Sequence, residues 1–127
     1  MAEHNDLGRL GEDHACFYLL SRDIHILERN WHGQDCELDI IAEDCGEIIF
    51  IEVKTRTSVD YGLPEDAVDA NRMYRMSRAA EQYLYTHHLE RNPFRFDIIA
   101  LNGAAPPFQL RHIESAFLFK PQKAYHK

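Results

Sequence analysis

Cys36-Glu37-Leu38-Asp39-Ile40-Ile41-Ala42-Glu43-Asp44-Cys45-Gly46-Glu47-Ile48-Ile49-Phe50-Ile51-Glu52-Val53-Lys54 sets acidic residues and one lysine into two runs otherwise rich in Ile, Val and Phe. The tetrad Asp44-Cys45-Gly46-Glu47 separates the runs and carries Gly in its second half, so the stretch reads as an antiparallel hairpin. A two-residue loop at Cys45-Gly46 sets Asp44 opposite Glu47. Counting outward then sets Asp39 opposite Glu52 and Glu37 opposite Lys54, a register that a bulge in the turn would change. Because side chains alternate between faces, these four share one face with Ile41 and Phe50. Leu38, Ile40, Ala42, Ile49, Ile51 and Val53 share the other.

Directly opposed residues have Cβ atoms about 4.5–5.5 Å apart, close enough for Asp39 and Glu52 to hold one ion between them. Two carboxylates that close resist simultaneous ionisation. A hard divalent cation, Mg²⁺ or Mn²⁺, removes the conflict. Lys54 stands on the same face as a point charge for a phosphate or a developing oxyanion. A competing reading makes Glu37 and Lys54 a solvent-facing ion pair of small energetic value. It leaves Asp39 against Glu52 unexplained, since like charges directly opposed destabilise a sheet.

Asp39 followed by Glu52-Val53-Lys54 resembles the PD-(D/E)xK nuclease core. Further residues join that pattern: Gly8-x-x-Gly11-Glu12, Arg29-Asn30, Glu37-x-Asp39-x-Ile41, Glu52-Val53-Lys54-x-Arg56, Gly62 and Arg95-Phe96-Asp97. Together they resemble the YraN-type family of small uncharacterised bacterial proteins, from about Gly8 to Leu101. Through that family the chain is similar to archaeal Holliday-junction resolvases. The resemblance implies an α/β, restriction-endonuclease-like fold and a metal site of Asp39, Glu52, the Val53 backbone carbonyl and Glu12 from the first helix. It implies Lys54 as the residue assisting phosphodiester hydrolysis, DNA as the partner in repair or recombination, and a homodimer. Two positions depart from the family pattern. Cys36 stands where Gly is usual, and Arg72 where Lys is usual, which keeps the charge but changes its geometry.

The 127 residues suffice for one domain with a buried core, expected over residues 1–119, followed by a polar tail over 120–127. Cys16, Cys36 and Cys45 form no C-x-x-C and leave an odd thiol, which suits a reducing compartment. Zinc held by His32, Cys36 and Cys45 matches no standard ligand spacing, and His87-His88 reads as a helix end. No apolar run approaches a membrane span and the first residues lack a signal-peptide pattern, so a cytoplasmic chain with no membrane association is expected.

A net charge of −7 works against binding a polyanion. Some of that charge belongs to the proposed site, and Asp6, Glu12 and Asp13 lie near a helix start, where negative charge is favoured. The basic residues are grouped: Arg72, Arg75 and Arg78 recur at i, i+3 and i+6, and Arg56 follows Lys54. These four are candidate nucleic-acid contacts, and a solvated helix face is the competing reading of the stripe.

The coarse order is α-β-β-β-α-β-β, a mixed sheet flanked by helices. Asp6 is expected to cap a first helix over about 7–21, with Glu12 on the shoulder of its apolar stripe, facing either the sheet or water. A strand near Ile24–Trp31 leads to the hairpin. Gly62-Leu63-Pro64-Glu65 is expected to open a second helix reaching about His88, with Met73, Met76, Ala80, Tyr83 and His87 on its core side. Strands follow at Phe94–Leu101 and Phe108–Ile113. Asp97, in a buried-looking strand, pairs with a neighbouring Arg or supports the site. Lys120–Lys127 is expected to fray.

Two function classes remain. One is a metal-dependent nuclease acting on structured or branched DNA. The other is a nucleic-acid-binding or assembly module that keeps such a fold with little or no turnover. The intact set of Asp39, Glu52 and Lys54 favours the first, and the acidic balance favours the second.

Overall fold

The computed structural model describes residues 3–34, 36–57 and 68–123. Its elements are α1 (Glu3–Ser21), β1 (His25–His32), β2 (Glu37–Asp44), β3 (Glu47–Arg56), α2 (Ala70–Thr86), β4 (Phe94–Asn102) and β5 (Gln109–Phe117). The expected order α-β-β-β-α-β-β is the observed one. Five strands form one mixed sheet in sequence order, with β3 and β4 parallel and every other neighbour antiparallel. A parallel pair needs a crossover, and α2 supplies it.

The hairpin forms as its sequence dictates. Asp44 pairs with Glu47, and the register runs through Ile41–Phe50 to Ile40–Ile51. Cys45 and Gly46 both have positive φ, 51° and 89°, the combination a two-residue primed turn requires. Alternation along β3 divides the core into two layers. Ile48 and Phe50 join Met76, Ala80, Tyr83 and Leu84 of α2, while Ile49 and Ile51 join Ala15, Cys16 and Leu19 of α1. The single tryptophan, Trp31 of β1, meets Tyr83 edge-on with ring centroids 5.3 Å apart.

Alternation fails in β2 just where the hairpin ladder ends. Leu38, expected beside Ile40 and Ala42, packs instead in the α2 layer. The strand neighbour Asn30 lies between the paired residues Arg29 and Trp31 and has φ 52°, a left-handed conformation that bends the β1 side of the ladder there.

Several boundaries differ from the sequence reading. Asp6 is inside α1, because the helix already begins at Glu3 and continues through it. The α2 cap is Asp69, whose carboxylate accepts the Arg72 N–H at 2.7 Å. The expected start at Gly62–Glu65 lies outside the described residues. Met76, Ala80 and Tyr83 are buried as their spacing predicts, whereas His87 is exposed and stacks on Tyr83. β5 continues to Phe117, where Phe117 stacks on Phe96 at 4.8 Å. The fraying expected over Lys120–Lys127 does not begin at Lys120, and 124–127 lie outside the described residues. The Lys120 N–H donates to Ser77 Oγ, Arg78 donates to the Lys120 carbonyl, and the Lys123 N–H donates to the Tyr74 hydroxyl, laying this segment along α2.

No helix among the described residues is long and apolar enough to cross a membrane.

Candidate functional site

Past Ile40 and Ile51 the two hairpin strands stop pairing, and the groups that bridge the opening are side chains. Asp39 Oδ2 accepts the Val53 N–H at 2.8 Å, so a carboxylate takes up the backbone donor that the ended ladder would have used. Val53, Lys54 and Arg56 remain paired with β4, opposite Ile99, Ala100 and Asn102, which keeps the β3 side of the opening rigid.

Glu52 is 3% exposed. Its Oε1 accepts Arg72 Nη2 at 2.8 Å, and its Oε2 accepts Arg72 Nε and faces Lys54 Nζ, both at 3.3 Å. Arg72 Nη2 also donates to the Glu37 carbonyl at 3.0 Å. Burial opposes ionisation of Glu52, but Arg72 and Lys54 outweigh it and hold its pKa below the ordinary value. Asp39 moves the other way. Burial and the neighbouring Glu52 charge raise it to about 7, against the lowering effect of the Val53 N–H. Of the two carboxylates Asp39 therefore holds a proton the more readily, while Glu52 favours its charged form.

Glu12 reaches the same end of the sheet from α1 because of Gly11. A Cβ on Gly11 would overlap the Thr55 side chain, so only glycine lets α1 lie this close to β3. Glu12 faces inward, its side chain 14% exposed, and Oε1 accepts Arg29 Nη2 at 3.0 Å and Asn30 Nδ2 at 2.8 Å. Its charge contributes to the raised pKa of Asp39. Among the described residues no three His, Cys, Asp or Glu side chains are already gathered as a ligand cluster. The assembled unit is the pair Asp39 and Glu52, with Glu12 beside it on separate partners. An all-oxygen pair of neighbouring carboxylates suits a hard cation, whose charge would favour the ionised form of both.

The remaining candidates fall in different places. Glu37, expected across from Lys54, is exposed and meets His32 at 3.1 Å, since the ladder that would have opposed it to Lys54 has ended. The arginine stripe of α2 does not form one exposed track. Arg75 is exposed, Arg72 is turned onto Glu52, and Arg78 lies between Tyr74 and Phe119 with 11% of its side chain exposed. Arg56 ends β3, and its carbonyl accepts the Gly103 N–H at 2.9 Å. All three cysteines are free thiols.

Asp97 forms a second, separate polar cluster. Fully buried, it accepts Arg95 Nε at 3.0 Å, the Ser115 N–H at 2.9 Å and His112 Nε2 at 2.7 Å. His112 Nδ1 in turn meets the Tyr18 hydroxyl at 2.9 Å, tying α1 to β5. Pairing of Asp97 with a nearby arginine was legible in Arg95-Phe96-Asp97, whereas nothing in the local sequence pointed to His112 or Tyr18. The site role of Arg72 was missed because its helical spacing with Arg75 and Arg78 suggested a surface stripe.

The pattern of uncharacterised protein family UPF0102 matches residues 11–101 of the chain. The chain belongs to that family. UPF0102 is the YraN-type family that the sequence resembles, and its members extend over nearly the whole chain. The UPF0102 protein of Phocaeicola vulgatus is 46% identical over 117 residues, covering 92% of this chain and 96% of its own length. That of Flavobacterium psychrophilum is 41% identical over 117 residues, covering 92% and 98%. That of Christiangramia forsetii is 38% identical over 119 residues, covering 94% and 99%. The UPF0102 match spans Glu12, Asp39, Glu52, Lys54 and Arg72, so the whole polar opening lies inside the family's own segment.

Proposed function

We propose that this UPF0102 member is a metal-dependent nuclease that hydrolyses phosphodiesters in structured or branched DNA. The observation that carries the reading is the pairing of half-buried Asp39 with buried Glu52 at the point where β2 and β3 part, with Lys54 against Glu52. Holding two carboxylates close together, one of them buried, costs folding free energy, and a hard cation offsets that cost. Asp39, Glu52, the Val53 carbonyl and Glu12 would hold Mg²⁺ or Mn²⁺, which when bound supplies Lewis acidity and a more acidic water. Lys54 is placed to meet charge building on a phosphoryl oxygen, since its ammonium already lies at the carboxylate edge of the site. Arg29 and Asn30 hold the Glu12 carboxylate in one orientation on the sheet side of α1. Arg56 at the end of β3 and exposed Arg75 on α2 are the candidate DNA contacts outside it.

The same reading takes the chain as one domain over residues 1–119, acting in the cytoplasm, where free thiols persist, and as a homodimer suited to paired strands. A second reading, a binding or assembly module without turnover, draws on the net charge of −7 and on the satisfaction of Glu52 by the protein's own Arg72 and Lys54.

Cleavage of four-way-junction and duplex DNA with Mg²⁺ or Mn²⁺, by wild type, Asp39→Ala and Lys54→Ala, separates the two. The nuclease reading expects cleavage by wild type alone, with both variants folded. Equal metal-dependent cleavage in all three would sink it. Salt-dependent DNA binding that persists in EDTA, with no cleavage in any metal, would establish the binding module instead.

A further inference from the structure

We infer that Arg72 is a latch on this site: in the metal-free protein its guanidinium occupies Glu52, and metal uptake requires it to let go. The inference rests on the metal-dependent reading above and adds a regulatory element to it.

Both oxygens of Glu52 are engaged by one guanidinium, through Nη2 on Oε1 and Nε on Oε2. Lys54 adds a second cation on Oε2. With 3% of the residue exposed, Glu52 has little free surface on which an incoming ion could land. A cation approaching this carboxylate therefore competes with a planar, permanently charged fork.

The latch also closes the opening mechanically. Nη2 of Arg72 is shared between Glu52 on β3 and the Glu37 carbonyl on β2, so one side chain spans the two strands beyond the end of their ladder. Its backbone is fixed while this happens, because the Arg72 N–H is held by the Asp69 cap and the Asp69 carbonyl receives the Met73 N–H. Release thus needs rotation of the Arg72 side chain alone, on a base that stays in place. A freed guanidinium at this edge has a natural new partner in a phosphodiester, whose paired oxygens match its fork as Glu52 does. Metal and nucleic acid then assist each other: the ion displaces Arg72, and the phosphate gives Arg72 somewhere to go.

Calorimetric titration of Mn²⁺ and Mg²⁺ into full-length wild type, Arg72→Gln and Asp39→Ala, without nucleic acid, tests the latch. Charge-assisted hydrogen bonds to a carboxylate are worth enough that their removal corresponds to about 10- to 100-fold in affinity. Arg72→Gln is therefore expected to bind either ion about 10- to 100-fold more tightly than wild type, and Asp39→Ala to bind neither. Equal or weaker binding by Arg72→Gln, with Asp39→Ala still inactive in binding, would overturn the latch while leaving the metal site standing. No uptake by wild type or Arg72→Gln would remove the metal site, and the latch with it. A measurement on wild type alone guards against a misfolded variant. The Arg72 Nε–H nuclear magnetic resonance signal is expected to shift as Mg²⁺ saturates the site, and a signal that stays put while the ion binds would refute release.

Discussion

Replacing Asp39 with Asn should make the metal-free protein more stable at alkaline pH while removing the group on which metal binding depends. Burial and Glu52 raise Asp39 from 3.8 to about 7. For an acid whose folded pKa exceeds its unfolded one, the native state binds the extra proton between those values, so stability falls as pH rises from about 4 to about 7. Three units at about 1.4 kcal/mol each set a ceiling of about 4 kcal/mol for the cost above pH 7. Glu52 shifts downward and returns part of it. The amide oxygen of the substituted side chain would still accept the Val53 N–H, but with the charge assistance, about 1 kcal/mol, gone. The net expectation for Asp39→Asn is a gain of about 1–3 kcal/mol at pH 8 that vanishes near pH 4. Urea unfolding followed by circular dichroism in EDTA at both pH values measures it by linear extrapolation. A variant less stable than wild type at pH 8, or more stable by the same margin at both pH values, would refute the reasoning. With Mg²⁺ at about a hundred times its dissociation constant, wild type should recover about 2.7 kcal/mol that the variant does not.

Asp97→Asn should cost about 3–5 kcal/mol at neutral pH, because it breaks a buried ion-paired network and leaves Arg95 and His112 short of their acceptor. Although burial opposes its ionisation, His112 and Arg95 hold the Asp97 pKa below its ordinary value, so this stability is present above about pH 4 and is lost as pH falls through the lower folded value; thermal unfolding from pH 7 to pH 3 should show the gap to the variant closing. Gly11→Ala should cost about 1–3 kcal/mol by forcing α1 away from Thr55, and Thr55→Gly in the same chain should restore most of it; equal losses in the single and double variants in denaturant titrations would remove the packing explanation. Cys45→Asn should stabilise the hairpin by about 0.5 kcal/mol, since Asn suits the positive φ of the turn better than Cys, and a lower urea midpoint would count against it.

The hairpin and its register were legible because apolar alternation and a Gly-containing turn act over adjacent residues. The same counting set Asp39 directly opposite Glu52, but the ladder ends at Ile40–Ile51, and Asp39 instead accepts the Val53 N–H beside Glu52. It failed where tertiary contacts take over. Strict alternation put Leu38 with Ile40, but the left-handed backbone of Asn30 and the end of the ladder send it to the other layer. Glu37 was matched to Lys54 on the assumption that pairing continued, and each found a different partner once it stopped. Arg72 was indistinguishable from Arg75 by helical spacing, since only the position of α2 over the end of β3 decides which of them meets Glu52. Asp6 looked like a cap because Asp is a favoured N-cap residue and the helical apolar spacing starts just after it, but α1 begins at Glu3 and continues through Asp6.

The contact of Trp31 with Tyr83 gives the molecule a built-in optical marker. No other tryptophan contributes to its emission. The indole sits on β1 and touches α2 edge-on, on the same helix that carries Arg72. Its fluorescence therefore reports whether that helix is seated on the sheet. A change in side-chain rotamer at Arg72 leaves the ring environment, and hence the emission maximum, in place. A lifting of the whole helix would expose the indole to water and shift its light to the red.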